Sequence, residues 1–97
     1  MTDVQLIKKT VSPLAYYKSQ LSGAFGKATG NGWHAWNGLC PFHADKRVGS
    51  FVINQTTGAF KCFSCGANGG DIIDFHMERH GLRFPEALKS LKGVVNG

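Results

Sequence analysis

Four potential metal ligands are grouped in two short motifs near the middle of the chain, one of the form Cys-x-x-His and the other Cys-x-x-Cys. Each spacing lets one tight turn aim two side chains at the same ion. Three thiolates and one imidazole suit a tetrahedral structural zinc site, and no cysteine is left over. The alternative is a set of reduced core cysteines beside an incidental histidine. We predict one structural Zn²⁺ ion, held by Cys40, His43, Cys62 and Cys65.

The chain has 97 residues, which is enough for one small domain but for only a limited hydrophobic core. An odd number of cysteines, spaced as metal motifs, argues against a disulfide framework and for a reducing compartment. Metal binding is then expected to contribute about 10 kcal/mol to folding. The N-terminus lacks a basic region followed by an apolar run, and no stretch is long enough to span a membrane. We expect a cytoplasmic protein with no membrane partner.

The net charge of +5 is distributed unevenly along the chain. Residues 1–70 hold seven Lys and Arg against Asp3 and Asp45, whereas residues 71–97 hold four basic and four acidic residues. The positive field therefore belongs to the part that contains the metal ligands. Nucleic acid is the leading polyanionic partner for such a segment. The alternative is that the charge serves solubility alone.

Residues 24–70 are predicted to form an antiparallel sheet that carries the metal ligands. Two hairpins are expected from strand composition and turn residues, with strands at residues 24–29, 33–39, 50–54 and 59–63. Side chains alternate along a strand, so Phe60 and Cys62 share the face nearer the metal. Lys61 and Phe63 then point away from it.

Helices are predicted on both sides of this region, in an N-terminal segment (1–23) and a C-terminal segment (71–97). Ser12 before Pro13 is typical of an N-cap and first helical position, and Asp71 is a second N-cap. Residues 1–10 are expected to form a short helix or a frayed tail. The fold class predicted for residues 1–97 is α+β: a single domain with a small zinc ribbon on an antiparallel β-sheet, flanked by helices.

Other candidate sites have simpler interpretations. His76 and His80 lie one helical turn apart, but Glu78 is misplaced for a metallohydrolase motif and no third ligand is evident. We interpret them as a solvated helix face. Asp71 and Asp74 resemble a capping box at a helix start more than a Mg²⁺ site. A closed Cys₃His site leaves no position for a water nucleophile, so a metalloenzyme is not expected and no catalytic residue is predicted.

Aromatic residues on the predicted strands are interleaved with basic ones. Bases of single-stranded nucleic acid stack on such rings while Lys and Arg follow the phosphates. Most rings are expected in the core, namely Phe51, Phe60 and one of the two Trp residues. Candidate nucleic-acid contacts are Lys46, Arg47, Lys61 and Phe63.

From Gly38 onward the sequence resembles the zinc-binding domain of bacterial and phage DnaG-type DNA primases. The resemblance covers about residues 35–92 and rests on Gly-Leu-Cys-Pro-Phe-His at 38–43, Lys-Cys-Phe-Ser-Cys-Gly-Ala at 61–67 and Gly-Gly-Asp at 69–71. It implies a sheet whose outer face reads single-stranded template DNA where RNA primers begin. By position, it implies the zinc ligands named above and a DNA-facing surface at Lys46, Lys61 and Phe63.

Two segments depart from the family pattern. Residues 46–51 are one residue longer than the usual Lys-Thr-Pro-Ser-Phe and lack its proline, and residues 30–36 carry two Trp residues. The family's separate, Mg²⁺-dependent polymerase domain has no counterpart in the sequence, so we expect no enzymatic activity from this chain alone.

The first hypothesis is a zinc-dependent, single-stranded-DNA-binding module of a DNA primase, contributing to template recognition and primer initiation in DNA replication. Its partners would be the template and a primase catalytic domain, a helicase or another replication protein. The alternative is a free-standing phage or mobile-element adaptor that docks a replication protein and has little DNA affinity.

Overall fold

The computed structural model describes residues 2–42 and 49–96, which contain one antiparallel sheet and the helices packed on it. The strands follow the order β1-β2-β3-β4-β5 in the sheet, each antiparallel to its neighbours. The elements are α1 (Asp3–Thr10), α2 (Pro13–Gln20), β1 (Ala24–Gly30), β2 (Trp33–Asn37), β3 (Phe51–Asn54), β4 (Phe60–Cys62), β5 (Asn68–Gly69), α3 (Ile72–His80) and α4 (Phe84–Asn96). The predicted α+β class is confirmed.

Both predicted hairpin turns are present, and one side chain connects them. The Nδ2 atom of Asn54, at the end of β3, donates a hydrogen bond to the carbonyl oxygen of Asn31 in the β1–β2 turn (3.1 Å). Its Oδ1 atom accepts from the backbone N–H groups of Thr56 and Thr57 in the β3–β4 turn (2.9 and 3.0 Å). Asn54 is buried, so these bonds fix the two turns against each other.

The two faces of the sheet differ as the predicted alternation requires. In β4, Phe60 and Cys62 are buried, whereas Lys61 between them is exposed. Phe63, which follows the strand, is 67% exposed. The inner face contributes the largest buried rings of the sheet, which are Trp36, Phe51 and Phe60. The prediction that Phe51, Phe60 and one Trp lie in the core is confirmed.

The helices cover the inner face and complete the core. The ring of Phe75 in α3 lies 4.8 Å from that of Tyr17 in α2, 5.3 Å from that of Phe60 and 5.3 Å from that of Phe42 (centroid distances). Such edge-to-face contacts are favourable beyond the area they bury. Phe42 belongs to the first metal motif, so the motif is attached directly to the core.

The N-terminal segment is helical from its first described residues. Thr2 and Gln5 form a reciprocal capping box at α1 (3.2 and 3.1 Å), so this region is a helix and not a frayed tail. The Oγ atom of Ser12 accepts from the N–H of Ala15 (3.0 Å), which confirms the predicted cap of α2. No helix within the two described ranges is both long and apolar enough to cross a bilayer.

The start of α3 is capped in a way that differs slightly from the prediction. The Oδ1 atom of Asp71 accepts from the N–H of Asp74 (2.9 Å), as an N-cap should. The Oδ2 atom of Asp74, however, accepts from the N–H of Gly70 (2.9 Å) and not from that of Asp71. Both carboxylates therefore satisfy backbone donors at the positive end of the helix.

The prediction of a solvated His76 is wrong, whereas His80 is exposed. The Nδ1 atom of His76 lies 2.6 Å from the hydroxyl of Tyr16, and its Nε2 atom lies 2.9 Å from Oγ of Ser90. Burial raises the pKa of Tyr16 above its usual range, so its hydroxyl stays protonated. A neutral imidazole then donates from one ring nitrogen and accepts at the other, and each of the two hydroxyls can serve as either partner. The imidazole thus joins α2, α3 and α4.

Candidate metal centre and the outer strand face

The second metal motif is a tight turn that follows β4. The N–H of Gly66 donates to the carbonyl oxygen of Cys62 (3.0 Å), and the N–H of Cys62 donates to that of Ala67 (2.8 Å). Gly66 has a φ of +81°, a backbone conformation that glycine adopts without steric cost. The turn returns the chain so that Cys65 faces back toward Cys62.

The first metal motif enters from the end of β2. The buried Cys40 accepts a hydrogen bond at Sγ from the N–H of Phe42 (3.5 Å). Since the ring of Phe42 also packs at 5.5 Å from that of Phe60, this motif is held against the strand that carries the second one.

The structure brings three of the four predicted ligands together. The sulfur atoms of Cys40, Cys62 and Cys65 all lie within 4.8 Å of one another, and those of Cys40 and Cys65 are 3.9 Å apart. Two sulfurs bound to a tetrahedral zinc ion at about 2.3 Å each are about 3.8 Å apart, whereas a disulfide requires about 2.05 Å. The three sulfurs therefore fit a zinc ion. The fourth predicted ligand, His43, lies outside the described residues.

The pKa values of two of these thiols are shifted in opposite directions. Burial raises the pKa of the Cys40 thiol to about 12. Burial also opposes ionisation of Cys62, but hydrogen bonds from the backbone N–H groups of Cys65 and Ser64 outweigh it and lower the pKa of Cys62. A divalent cation among the sulfurs would favour the thiolate form of each and so remove the cost of burying them. The three sulfurs would supply three of the four ligands of a tetrahedral zinc ion.

The outer face of β3 and β4 carries two of the predicted nucleic-acid contacts. Lys61 lies opposite Val52 in the sheet, and its Nζ atom is 5.1 Å from the centroid of the Phe63 ring. The backbone of Phe63 is fixed by a hydrogen bond from its N–H to the carbonyl oxygen of Ser50 (2.9 Å). An exposed ring and an ammonium group thus lie next to each other on the outer face of the sheet. The other two predicted contacts, Lys46 and Arg47, lie outside the described residues.

This surface extends into a shallow cavity that the sequence patterns did not predict. The cavity has a volume of about 390 Å³ and is lined by Thr29, Trp33, Val52, Lys61 and Phe63. Trp33 and Trp36 could not be told apart in the sequence as core or surface. The alternation along β2 carries the distinction: Trp36 points inward and is fully buried, whereas Trp33 is only half-buried and lines the outer cavity.

The known proteins that this chain resembles are DNA primases. The model of the CHC2 zinc finger family, the zinc ribbon of DnaG, matches residues 27–96. The DNA primase of Borreliella burgdorferi is 47% identical over 57 residues, which is 59% of this chain and 10% of that protein. The DNA primase of Helicobacter pylori is 50% identical over 57 residues, again 59% of this chain and 10% of the relative.

A solved structure shares the fold. The crystal structure of the zinc-binding and RNA polymerase domains of Aquifex aeolicus primase superimposes with a TM-score of 0.76 at 24% identity. The match covers 99% of this chain and 22% of the Aquifex chain. The chain therefore spans about a tenth of the length of the curated relatives it matches.

Proposed function

Because the chain belongs to the CHC2 zinc finger family of DnaG-type primases, we propose that it is a zinc-dependent, single-stranded-DNA-binding module that acts in template recognition and RNA primer initiation. The observation that carries the proposal is the cluster of three cysteine sulfurs within 4.8 Å of one another, at one end of a sheet with an exposed basic and aromatic face.

The metal has a structural role in this proposal. One Zn²⁺ ion is held by Cys40, Cys62 and Cys65, with His43 as the fourth ligand. The ion joins the end of β2 to the turn after β4, and these two strands are the neighbours of β3 in the sheet. Fixing them together keeps the outer face rigid, which lowers the entropy lost when a flexible DNA strand binds.

The DNA contacts lie on the outer face. Phe63 offers an exposed ring for a base, and Lys61 offers a positive charge for the adjacent phosphate. Lys46 and Arg47 add charge from the segment after the first metal motif. With a net charge of +5, the chain would attract single strands in a salt-dependent manner.

The relatives of this chain are DNA primases, and the chain spans about a tenth of their length. Primer synthesis would therefore require a catalytic partner. We propose that polymerisation belongs to a primase catalytic domain, in the same or another polypeptide, and that this module acts with it in the cytoplasm. A helicase or another replication protein is a further partner of the same assembly.

The test is a fluorescence-anisotropy titration of a labelled oligothymidylate at two salt concentrations. Phe63→Ala should weaken binding by about 1–3 kcal/mol through reduced stacking. Lys61→Ala should weaken binding to all sequences alike and reduce the salt slope by about 0.7 for each phosphate that is no longer neutralised. The matched controls are Phe84→Ala and Lys89→Ala, which remove an exposed ring and an exposed charge from α4 and should bind like the parent.

Equal affinities for the parent and both outer-face variants would contradict the proposed surface. A parent chain with no measurable affinity for single strands, but with retention of a purified replication protein, would favour the adaptor function instead.

A further inference from the structure

Trp33 is a large aromatic residue that lies outside the hydrophobic core. Its neighbour on the same strand, Trp36, is fully buried and packs at 5.2 Å from the ring of Phe25 on the inner face. Trp33 lies opposite Asn54 in the β2–β3 pair, on the outer face, and its side chain forms a wall of the 390 Å³ cavity. Trp33 is therefore one of two aromatic residues that line this cavity, and it is not part of the core.

The strand register fixes how Trp33 and Phe63 are related. Lys61 lies opposite Val52, with Trp33 two positions toward one end of β3 and Phe63 two positions toward the other. Four residues along a strand correspond to about 13 Å, and two strand spacings across the sheet to about 10 Å, so the two Cα atoms are separated by a diagonal of about 16 Å. The two rings thus stand at opposite ends of a diagonal trough, with Val52 as its floor.

Lys61 lines this trough, and its ammonium group lies at the end occupied by Phe63. Its Nζ atom is 5.1 Å from the Phe63 ring, and Lys61 lines the same cavity as Trp33. No Asp or Glu side chain is among the described residues that line the cavity. A ring at each end and a cation on the lining match the chemistry of a short stretch of single strand, in which two bases flank one phosphate.

We propose that this cavity binds two adjacent nucleotides of a single-stranded template, with one base on Phe63, the next on Trp33 and the intervening phosphate at Lys61. The inference rests on the proposed DNA-binding function and extends it, because it makes Trp33 a second stacking platform. A protein segment is a different occupant, but a cation with no acidic neighbour among the described lining residues favours a phosphate.

The affinity test compares three chains on mono-, di- and hexathymidylate. Trp33→Ala should weaken binding of the hexamer by about fivefold to 150-fold, the range measured for one stacked base. Trp33→Phe keeps a ring at the position and should restore most of that affinity. Trp33→Ala should remove the increase in affinity between the mono- and the dinucleotide, because only the second base reaches Trp33. Zinc content and far-UV circular dichroism check that each variant is folded.

A spectroscopic signal separates stacking from a structural role. Stacking of a base on Trp33 should quench tryptophan fluorescence when hexathymidylate is added to the parent chain. Trp33→Phe should bind with little quenching, because the remaining indole, Trp36, is buried on the other face. A merely structural role for Trp33 would give no DNA-dependent quenching.

The outcomes distinguish this inference from the function on which it rests. Weaker binding by Phe63→Ala together with unchanged binding and quenching in the Trp33 variants would overturn the second platform and leave the DNA-binding function intact. A parent chain that binds no oligothymidylate would overturn both. Trp33→Ala that loses affinity for a replication protein but not for DNA would also overturn the inference, since the cavity would then bind a protein.

Discussion

Gly38 connects β2 to the first metal motif and has no room for a side chain. A Cβ atom there would lie 2.6 Å from the carbonyl oxygen of Ser22 and 2.8 Å from Nε1 of Trp36. The first neighbour is a backbone atom and the second belongs to a fully buried ring, so neither can move aside cheaply. The path of the chain into Cys40 therefore depends on the missing side chain at this position.

Gly38→Ala should lower the free energy of unfolding of the zinc-loaded chain by about 1–3 kcal/mol, the usual cost of overpacking. The variant should also lose zinc to a chelator more readily, because the backbone displacement needed to fit the added Cβ atom extends to Cys40. The measurement is urea denaturation followed by circular dichroism. Gly93→Ala is the matched control: it lies within α4 with no atom within 4 Å of the added Cβ, and it should raise stability by about 0.5–1 kcal/mol. Equal stabilities for Gly38→Ala and the parent would contradict this account.

Residue-scale predictions from the sequence succeeded where one local rule decides the outcome. The alternation along β4 separated Lys61 and Phe63 from the buried Phe60 and Cys62. Alternation places Trp33 and Trp36 on opposite faces of β2, but which of those faces covers the core is set by the tertiary packing of the sheet, so Trp33 was not identified as a surface residue.

At the scale of elements, three helices meet at the buried imidazole of His76. Burial lowers the pKa of this imidazole, and the nearby His80 lowers it further. The folded state therefore binds a proton less readily than the unfolded state, whose histidine keeps the ordinary value of 6.5. The stability that the neutral imidazole contributes is present above pH 6.5 and is lost as the pH falls below that value.

His76→Gln should flatten the dependence of unfolding free energy on pH just below 6.5, while lowering stability at neutral pH by about 1–3 kcal/mol through imperfect replacement of one buried and one partly buried hydrogen bond. The measurement is a series of denaturation curves for the parent and the variant. His80→Gln changes an exposed residue. It should keep most of the parent's dependence of unfolding free energy on pH, because burial is the larger cause of the lowered pKa of His76. An unchanged slope in His76→Gln would show that this imidazole does not titrate between the two states.

Local patterns predicted most elements but not all of them. The caps at Ser12 and Asp71 were predicted from residue chemistry and are present. Strand β5 was missed because Asn68 and Gly69 have low strand propensity, and their pairing with β4 is decided by the surrounding structure. The buried role of His76 was also missed, because Tyr16, its hydrogen-bond partner, is 60 positions away in the sequence.

At the scale of the whole molecule, the metal motifs connect parts of the sheet that are remote in sequence. Cys40 and Cys65 are 25 positions apart, yet their sulfurs lie 3.9 Å from each other. An ion that binds only this arrangement stabilises the folded chain, on the order of 10 kcal/mol for small zinc modules. The two motif spacings predicted that Cys40, Cys62 and Cys65 would lie together, because the coordination chemistry of zinc restricts both ligand type and geometry.

We propose that one zinc ion, bound by three sulfurs and one nitrogen, holds the outer face in place. X-ray absorption at the zinc edge of the purified chain tests it most directly, since it reports ligand type and distance, including the contribution of His43. We expect one zinc per chain with three sulfurs at about 2.3 Å and one nitrogen at about 2.0 Å. A folded chain without zinc, or a zinc shell made mainly of oxygen, would contradict it.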